Sequence, residues 1–206
     1  MSIKKNFFAP LALGLGATRR AAVLLLVMLL TTATAWAQST ETLGGYTFTI
    51  GTDGDGQYYI VDCEAALRAL SSYSTSNNCS GKRFVQTADI TLTGTFAPIG
   101  GNSSSNTKCF KGTYDGGGHT ISGLQVQVTT SNFSSASAGL FSAVKENGLL
   151  RNVGLIAPSV SCSCSGKECG AGAIAGYVEY GTITNCFVLN PGTIMASNGS
   201  ENYTGL

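Results

Sequence analysis

A fixed step of 33 residues runs through the C-terminal third of the chain. Gly139, Gly172 and Gly205 are spaced by it, and Gly148 with Gly181 and Asn152 with Asn185 keep the same step. Between these anchors Leu140-Phe141 aligns with Ala173-Ile174, Leu150 with Ile183, and Leu155 with Val188. A step of this size marks stacked units, none of which buries its apolar face alone. Each unit reads as two short strands around a glycine turn: Gly139–Val144 and Leu149–Leu155, then Gly172–Val178 and Thr182–Leu189. Helical repeats also run at about 33 residues. Here the segments are short, rich in Val, Ile and Thr, and divided by glycines, which suits strands and starves helices. The expected fold is all-β, a right-handed parallel β-helix (solenoid) with a short N-terminal capping helix; a β-sandwich is the rival. Coils stack about 4.8 Å apart. Asn152 and Asn185 are then placed for an amide ladder at a turn, because asparagine tolerates the left-handed conformation.

Upstream of the repeat, Phe110–Leu124 reads FKGTYDGGGHTISGL. Asp115 leads into Gly116-Gly117-Gly118, a turn that admits φ > 0. His119-Thr120-Ile121-Ser122-Gly123-Leu124 then alternates, with Ile121 facing inward. The spacing of Phe110, Gly112, Asp115, Gly116, Gly118, His119, Ile121, Gly123 and Leu124, followed by Gly139-Leu140-Phe141 and Gly148-Leu149-Leu150-Arg151-Asn152-Val153, resembles the bacterial GLUG-motif family. The resemblance covers Ala88 to Leu206. Ala88–Leu92 with Ala97–Gly100 also resembles the lead-in to such repeats. It implies coils of a β-solenoid in secreted and surface proteins, and no catalytic residues. It also implies that these positions, with Gly172, Gly181 and Asn185, are structural. GLUG repeats also occur as non-catalytic parts of secreted peptidases that cleave immunoglobulin A.

Residues 1–37 read as an export signal. Lys4, Lys5, Arg19 and Arg20 form a basic start, Ala21–Leu30 is apolar, and Ala35-Trp36-Ala37 offers a small-x-small cleavage site before Gln38. An apolar run of ten is too short for a membrane span, which needs about 20 residues. Residues 38–87 then hold N-terminal strands and the capping helix. Residues 88–206 hold the GLUG-like repeats, and the 33-residue step places Gly205-Leu206 at the start of a further unit, so the chain reads as truncated there. Losing four basic residues leaves eight Lys and Arg against 11 Asp and Glu, a net charge of −3. No basic patch remains for nucleic acid beyond Lys82-Arg83. Charged residues make up 11% of the chain, against about 25% in ordinary domains. That leaves a neutral surface of Ser, Thr, Asn and Gly.

Within residues 38–87, Tyr46–Ile50 and Tyr58–Val61 read as a hairpin around a loop, Gly51–Gly56, longer than two residues. Asp62–Ser72 reads as the helix, capped by Asp62, with Ala66, Leu67, Ala69 and Leu70 as its apolar stripe and Arg68 pointing out. Phe84-Val85, Ile90-Thr91-Leu92 and Phe96 are expected to be buried. Seven cysteines in an exported chain favour disulfides. Cys63 and Cys79 bracket one local element and are the expected pair; pairing among the others stays open.

Several residue sets invite chemistry. Counted as a calcium loop from Asp53, Asp55 and Glu64 fall at liganding positions, but Tyr58 stands where glycine is required. The spacing Cys162-x-Cys164-x4-Cys169 matches no common zinc knuckle. His119, the sole histidine, has Asp115 as its nearest sequence partner for a base. Glu146 and Glu179 sit about one repeat step apart and bear on a glycosidase or lyase reading. In each case the structural reading is preferred, and neither catalytic residues nor a metal or cofactor is expected. The expected protein is an exported, non-catalytic structural or adhesive repeat protein with an extracellular carbohydrate or protein ligand, no membrane span after signal removal, and self-association at its open C-terminal coil. The alternative is the non-catalytic N-terminal part of a larger secreted enzyme, an IgA-cleaving peptidase or a polysaccharide-degrading enzyme.

Overall fold

In a computed structural model, the described residues are 38–101, 108–130, 135–165, 168–197 and 201–205. The export signal read at 1–37 lies outside them. Contacts divide the chain into Met1–Gln38 and Ser39–Leu206, and the fold below is that of the second unit.

Strand β1 (Thr40–Leu43) turns through Gly44-Gly45, both at positive φ, into β2 (Tyr46–Asp53), which pairs antiparallel with β3 (Gly56–Val61). The β2–β3 loop is Gly54-Asp55 alone. The longer loop expected over Gly51–Gly56 is therefore corrected. Gly51 continues the strand opposite Tyr58, and a Cβ on Gly51 would fall 2.3 Å from the Tyr58 ring, so glycine here admits the ring rather than making a turn. Helix α1 (Glu64–Ser74) then crosses over so that β4 (Arg83–Gln86) pairs parallel with β3. Ala66, Leu67, Ala69 and Leu70 are buried as the stripe predicts. The N-cap is Cys63, not Asp62, at φ −153° and with no side-chain cap. Arg68 does not point away. It donates to Glu64 at 2.8 Å and to the Thr95 carbonyl at 2.9 Å, and lies 5.7 Å over the Phe96 ring. The Ser71 hydroxyl donates to the Ala97 carbonyl at 2.6 Å, and the Gly100 N–H donates to Ser74 Oγ at 2.6 Å. The helix thus lies along the first coil.

From β4 onward each strand pairs parallel with its equivalent one coil later. The first coil holds β4 and β5 (Ile90–Thr91). The second holds β6 (Thr113–Asp115), β7 (Thr120–Ser122), β8 (Gln125–Thr130), β9 (Ala136–Ala138) and β10 (Phe141–Lys145). The third holds β11 (Leu149–Arg151), β12 (Gly154–Ile156), β13 (Ser159–Cys164), β14 (Glu168–Gly172) and β15 (Ala175–Glu179). The next holds β16 (Thr182–Thr184), β17 (Phe187–Leu189), β18 (Ile194–Ser197) and β19 (Glu201–Gly205). The chain is a parallel β-solenoid. Its coil-to-coil ladders are parallel throughout, which the antiparallel sheets of a sandwich do not allow.

The core is built of ladders. Phe84, Tyr114, Leu150 and Ile183 stack in register, as do Ile90, Ile121, Leu155 and Val188. Phe84, Tyr114, Leu150, Ile121 and Leu155 are fully buried, and each such side chain contributes about 1.5–3 kcal/mol. Aromatic rings continue the core lengthwise: Phe84 to Phe110 at 6.5 Å, Phe110 to Phe141 at 4.9 Å, and Tyr114 to Phe141 at 5.5 Å. The buried Tyr114 hydroxyl donates to Gln86 Oε1 at 3.1 Å, which satisfies its one polar atom.

Two repeat readings are corrected. Each unit carries five strands among the described residues where two were expected: in the first unit Leu149–Leu155 splits into β11 and β12, and Ser159–Cys164 and Glu168–Gly172 also form strands. Phe141 pairs with Ala175, so Leu140-Phe141 does not match Ala173-Ile174. The corner after β14 has one extra residue and the corner after β15 has one fewer, which restores the step at Leu149 and Thr182.

Candidate functional site at the coil corner

Asp115 ends β6, Arg151 ends β11, and the two are paired in register. At the next residue the chain turns between two faces of the solenoid. Asn152 and Asn185 make this turn at φ 55° and 51°, a region that asparagine tolerates better than most residues. Gly116 stands at the same level, where a Cβ would fall 2.2 Å from the Asn152 carbonyl oxygen. Only glycine admits that approach.

The side chains form a continuous ladder. Asn185 Nδ2 donates to Asn152 Oδ1 at 2.6 Å, and Asn152 Nδ2 donates to Asp115 Oδ1 at 2.9 Å. Asp115 Oδ1 also accepts from the Gly117 N–H at 2.9 Å, and Oδ2 accepts from Arg151 Nε at 2.6 Å. Burial works to raise the Asp115 pKa. The bonds from Asn152, Gly117 and Arg151 outweigh it and hold the carboxyl below its ordinary value. The network reaches the β2–β3 turn. Arg151 lies 3.8 Å from Asp55, and Arg83 grips Asp53 through two bonds of 2.6 and 2.7 Å.

This arrangement can hold coils in register, and it engages both carboxylate oxygens of Asp115. The His119 ring instead has Nδ1 3.6 Å from Asp89 Oδ1, an atom already accepting from the Thr120 N–H at 2.8 Å. The carboxylates counted for a calcium loop have other partners. Asp53 and Asp55 face arginines, while Glu64 accepts from Arg68 and from the Thr93 N–H at 3.0 Å. Glu146 and Glu179 are each neutralised, by Lys111 at 2.8 Å and Lys145 at 2.7 Å. The expected Cys63–Cys79 bridge is not formed. Cys63 begins the 11-residue helix and packs on the Tyr46 hydroxyl at 3.5 Å, and Cys79 follows the helix with its thiol 3.8 Å from the Asn77 carbonyl. The helix, about 16 Å long, lies between them in sequence.

The Asn152–Asn185 ladder was legible from the step alone. The partners Arg151, Arg83 and Asp53 were missed. A usable signal existed, since Asp115 and Arg151 both end the strand before a turn. A groove of about 360 Å³ lies elsewhere, lined by Ala136, Ser137, Gly170, Gly176 and Tyr177 among others, with Tyr177 37% exposed on its rim.

No family profile matches the chain, and no solved structure matches it. Among curated proteins it is similar to halomucin of Haloquadratum walsbyi (strain DSM 16790 / HBSQ001), at 33% identity over 150 residues, 68% of this chain. The chain spans 2% of the length of halomucin.

Proposed function

We propose that this chain is a non-catalytic structural module of an exported surface protein, a rigid solenoid that presents a binding face to carbohydrate or protein. The observation that carries the reading is the Asp115–Asn152–Asn185 ladder with Arg151: Asp115, the carboxylate beside the sole histidine in sequence, is occupied in holding coils together. Similarity to a protein named halomucin fits a surface role of the mucin type. The GLUG resemblance supports the same placement, and Tyr177 and Tyr180 (86% exposed) supply aromatic faces of the kind sugars stack on. No described helix is long and apolar enough to cross a membrane.

Antibody against residues 39–206, applied to intact cells of the source organism, tests the placement. Surface labelling, with a mature N-terminus at Gln38, is the expected result. Label seen only after permeabilisation, on a chain that keeps Met1, would overturn it. A glycan array probed with the folded protein then reads the ligand class.

A second reading, a non-catalytic part of a larger secreted enzyme, rests on the GLUG resemblance alone; that the chain spans 2% of halomucin fits a piece of a longer protein of either kind. A further proposal concerns the last described coil. Ile183 is 37% exposed at the ladder position where Leu150 is fully buried, and Val188 is half-buried where Leu155 is fully buried. A second copy of the chain stacking on β16–β18 would cover them. Sedimentation equilibrium should show mass rising with concentration, and Ile183→Lys should reduce it.

A further inference from the structure

Strand β13 alternates, with Val160, Cys162 and Cys164 facing inward. The chain then turns, and β14 sends Cys169 into the same interior. Cys162 and Cys169 are both fully buried, and their sulfurs lie 3.1 Å apart. That is about 1 Å longer than a disulfide bond. The Cys164 thiol lies 3.4 Å from the Glu168 carbonyl and that of Cys186 3.2 Å from the Thr184 carbonyl, and Cys63 and Cys79 sit as described above.

We propose that Cys162 and Cys169 form an intrachain disulfide that staples the corner between β13 and β14 when the chain meets a disulfide oxidant. The proposal rests on the export reading only for where that oxidant is met. The oxidant is a small-molecule or protein disulfide. One cysteine thiolate attacks it and releases one reduced thiol; the second thiolate attacks the mixed disulfide and releases the other. The two cysteines lose two protons and two electrons, and the oxidant gains them as two thiols.

Burial fixes when this happens. It pushes the Cys162 thiol well above its ordinary pKa, so thiolate is scarce once the coil has closed. Oxidation therefore belongs to folding, before the corner is sealed. Afterwards the same burial shields the bond from exchange. The staple lies within one coil. Cys162 keeps its backbone partners Val128 and Ala196, and Cys169 keeps Ala136, so the register of the stack is unchanged.

The test is refolding of the full chain, unfolded and reduced, in a buffer of oxidised and reduced glutathione. Trypsin digestion without reductant follows. Cleavage after Arg151 and Lys167 gives Asn152–Lys167 and Glu168–Leu206, which the bridge joins into one species about 2 Da lighter than the sum of the two reduced peptides. The expected result is that Cys164→Ser and Cys186→Ser keep this species while Cys162→Ser and Cys169→Ser lose it. The bridged form should also melt about 5 °C above the reduced form. Free thiols at both positions after refolding, or a bridge that survives Cys162→Ser, would overturn the assignment. Because the reaction is run in vitro, its outcome is independent of whether the chain is exported.

Discussion

At Asn152 a single side chain performs two tasks. Its backbone sits at φ 55°, and its amide both donates to Asp115 and accepts from Asn185. Asn152→Ala removes both bonds and leaves alanine in a strained conformation. We expect a loss of about 2 kcal/mol in urea unfolding. Asn152→Gly loses the bonds but relieves the strain, and should cost about half as much. Asp115 adds a pH dependence. Its folded pKa lies below its ordinary value of 3.8. The stabilisation is thus complete above that value and is lost as pH falls through the folded pKa. Urea midpoints measured from pH 5 to pH 2 should fall, and Asp115→Asn should make the fall shallower. An unchanged slope would place the acid sensitivity on other carboxylates. The asparagine pair was readable because both members lie in units of strict 33-residue spacing. Asp115 and Arg151 pair across a step of 36, so the same arithmetic could not align them.

Elements were legible in proportion to their apolar content. The helix stripe and the short β-branched strands announced themselves, whereas β13 and β14 did not. Apart from Val160, their interior positions are filled by cysteine, alanine and glycine, which read as a polar loop until their alternation is counted. Glycine has a packing reason here. A Cβ on Gly170 or Gly176 would fall 2.5 or 2.6 Å from backbone of a neighbouring strand. The helix boundary shifted for another reason. Asp62 was read as the cap from residue type alone, but the chain enters the helix through an extended Cys63 whose thiol packs on Tyr46. An uncapped N-terminus leaves donors unsatisfied. Cys63→Ser should therefore stabilise the protein by roughly 0.5–1 kcal/mol, read as a raised urea midpoint. A lowered midpoint would mean that the thiol–Tyr46 contact outweighs the cap.

Over the whole molecule, stability comes from repetition. Each coil offers its neighbours the same ladder positions, so large residues stack on large ones from Phe84 to Ile183. Charge contributes locally: lysines and arginines neutralise carboxylates at the corners and on the flanks. The parallel stack followed from the repeat step, and the number of faces per coil did not, since corners change by one residue from coil to coil while strands keep register. The central claim is that residues one coil apart touch and that Leu150 lies between two others. Nuclear Overhauser contacts in solution test it most directly. The account predicts contacts from the Leu150 methyls both to the Tyr114 ring and to the Ile183 methyls. Contacts of Leu150 confined to its sequence neighbours, or to an antiparallel partner, would contradict it.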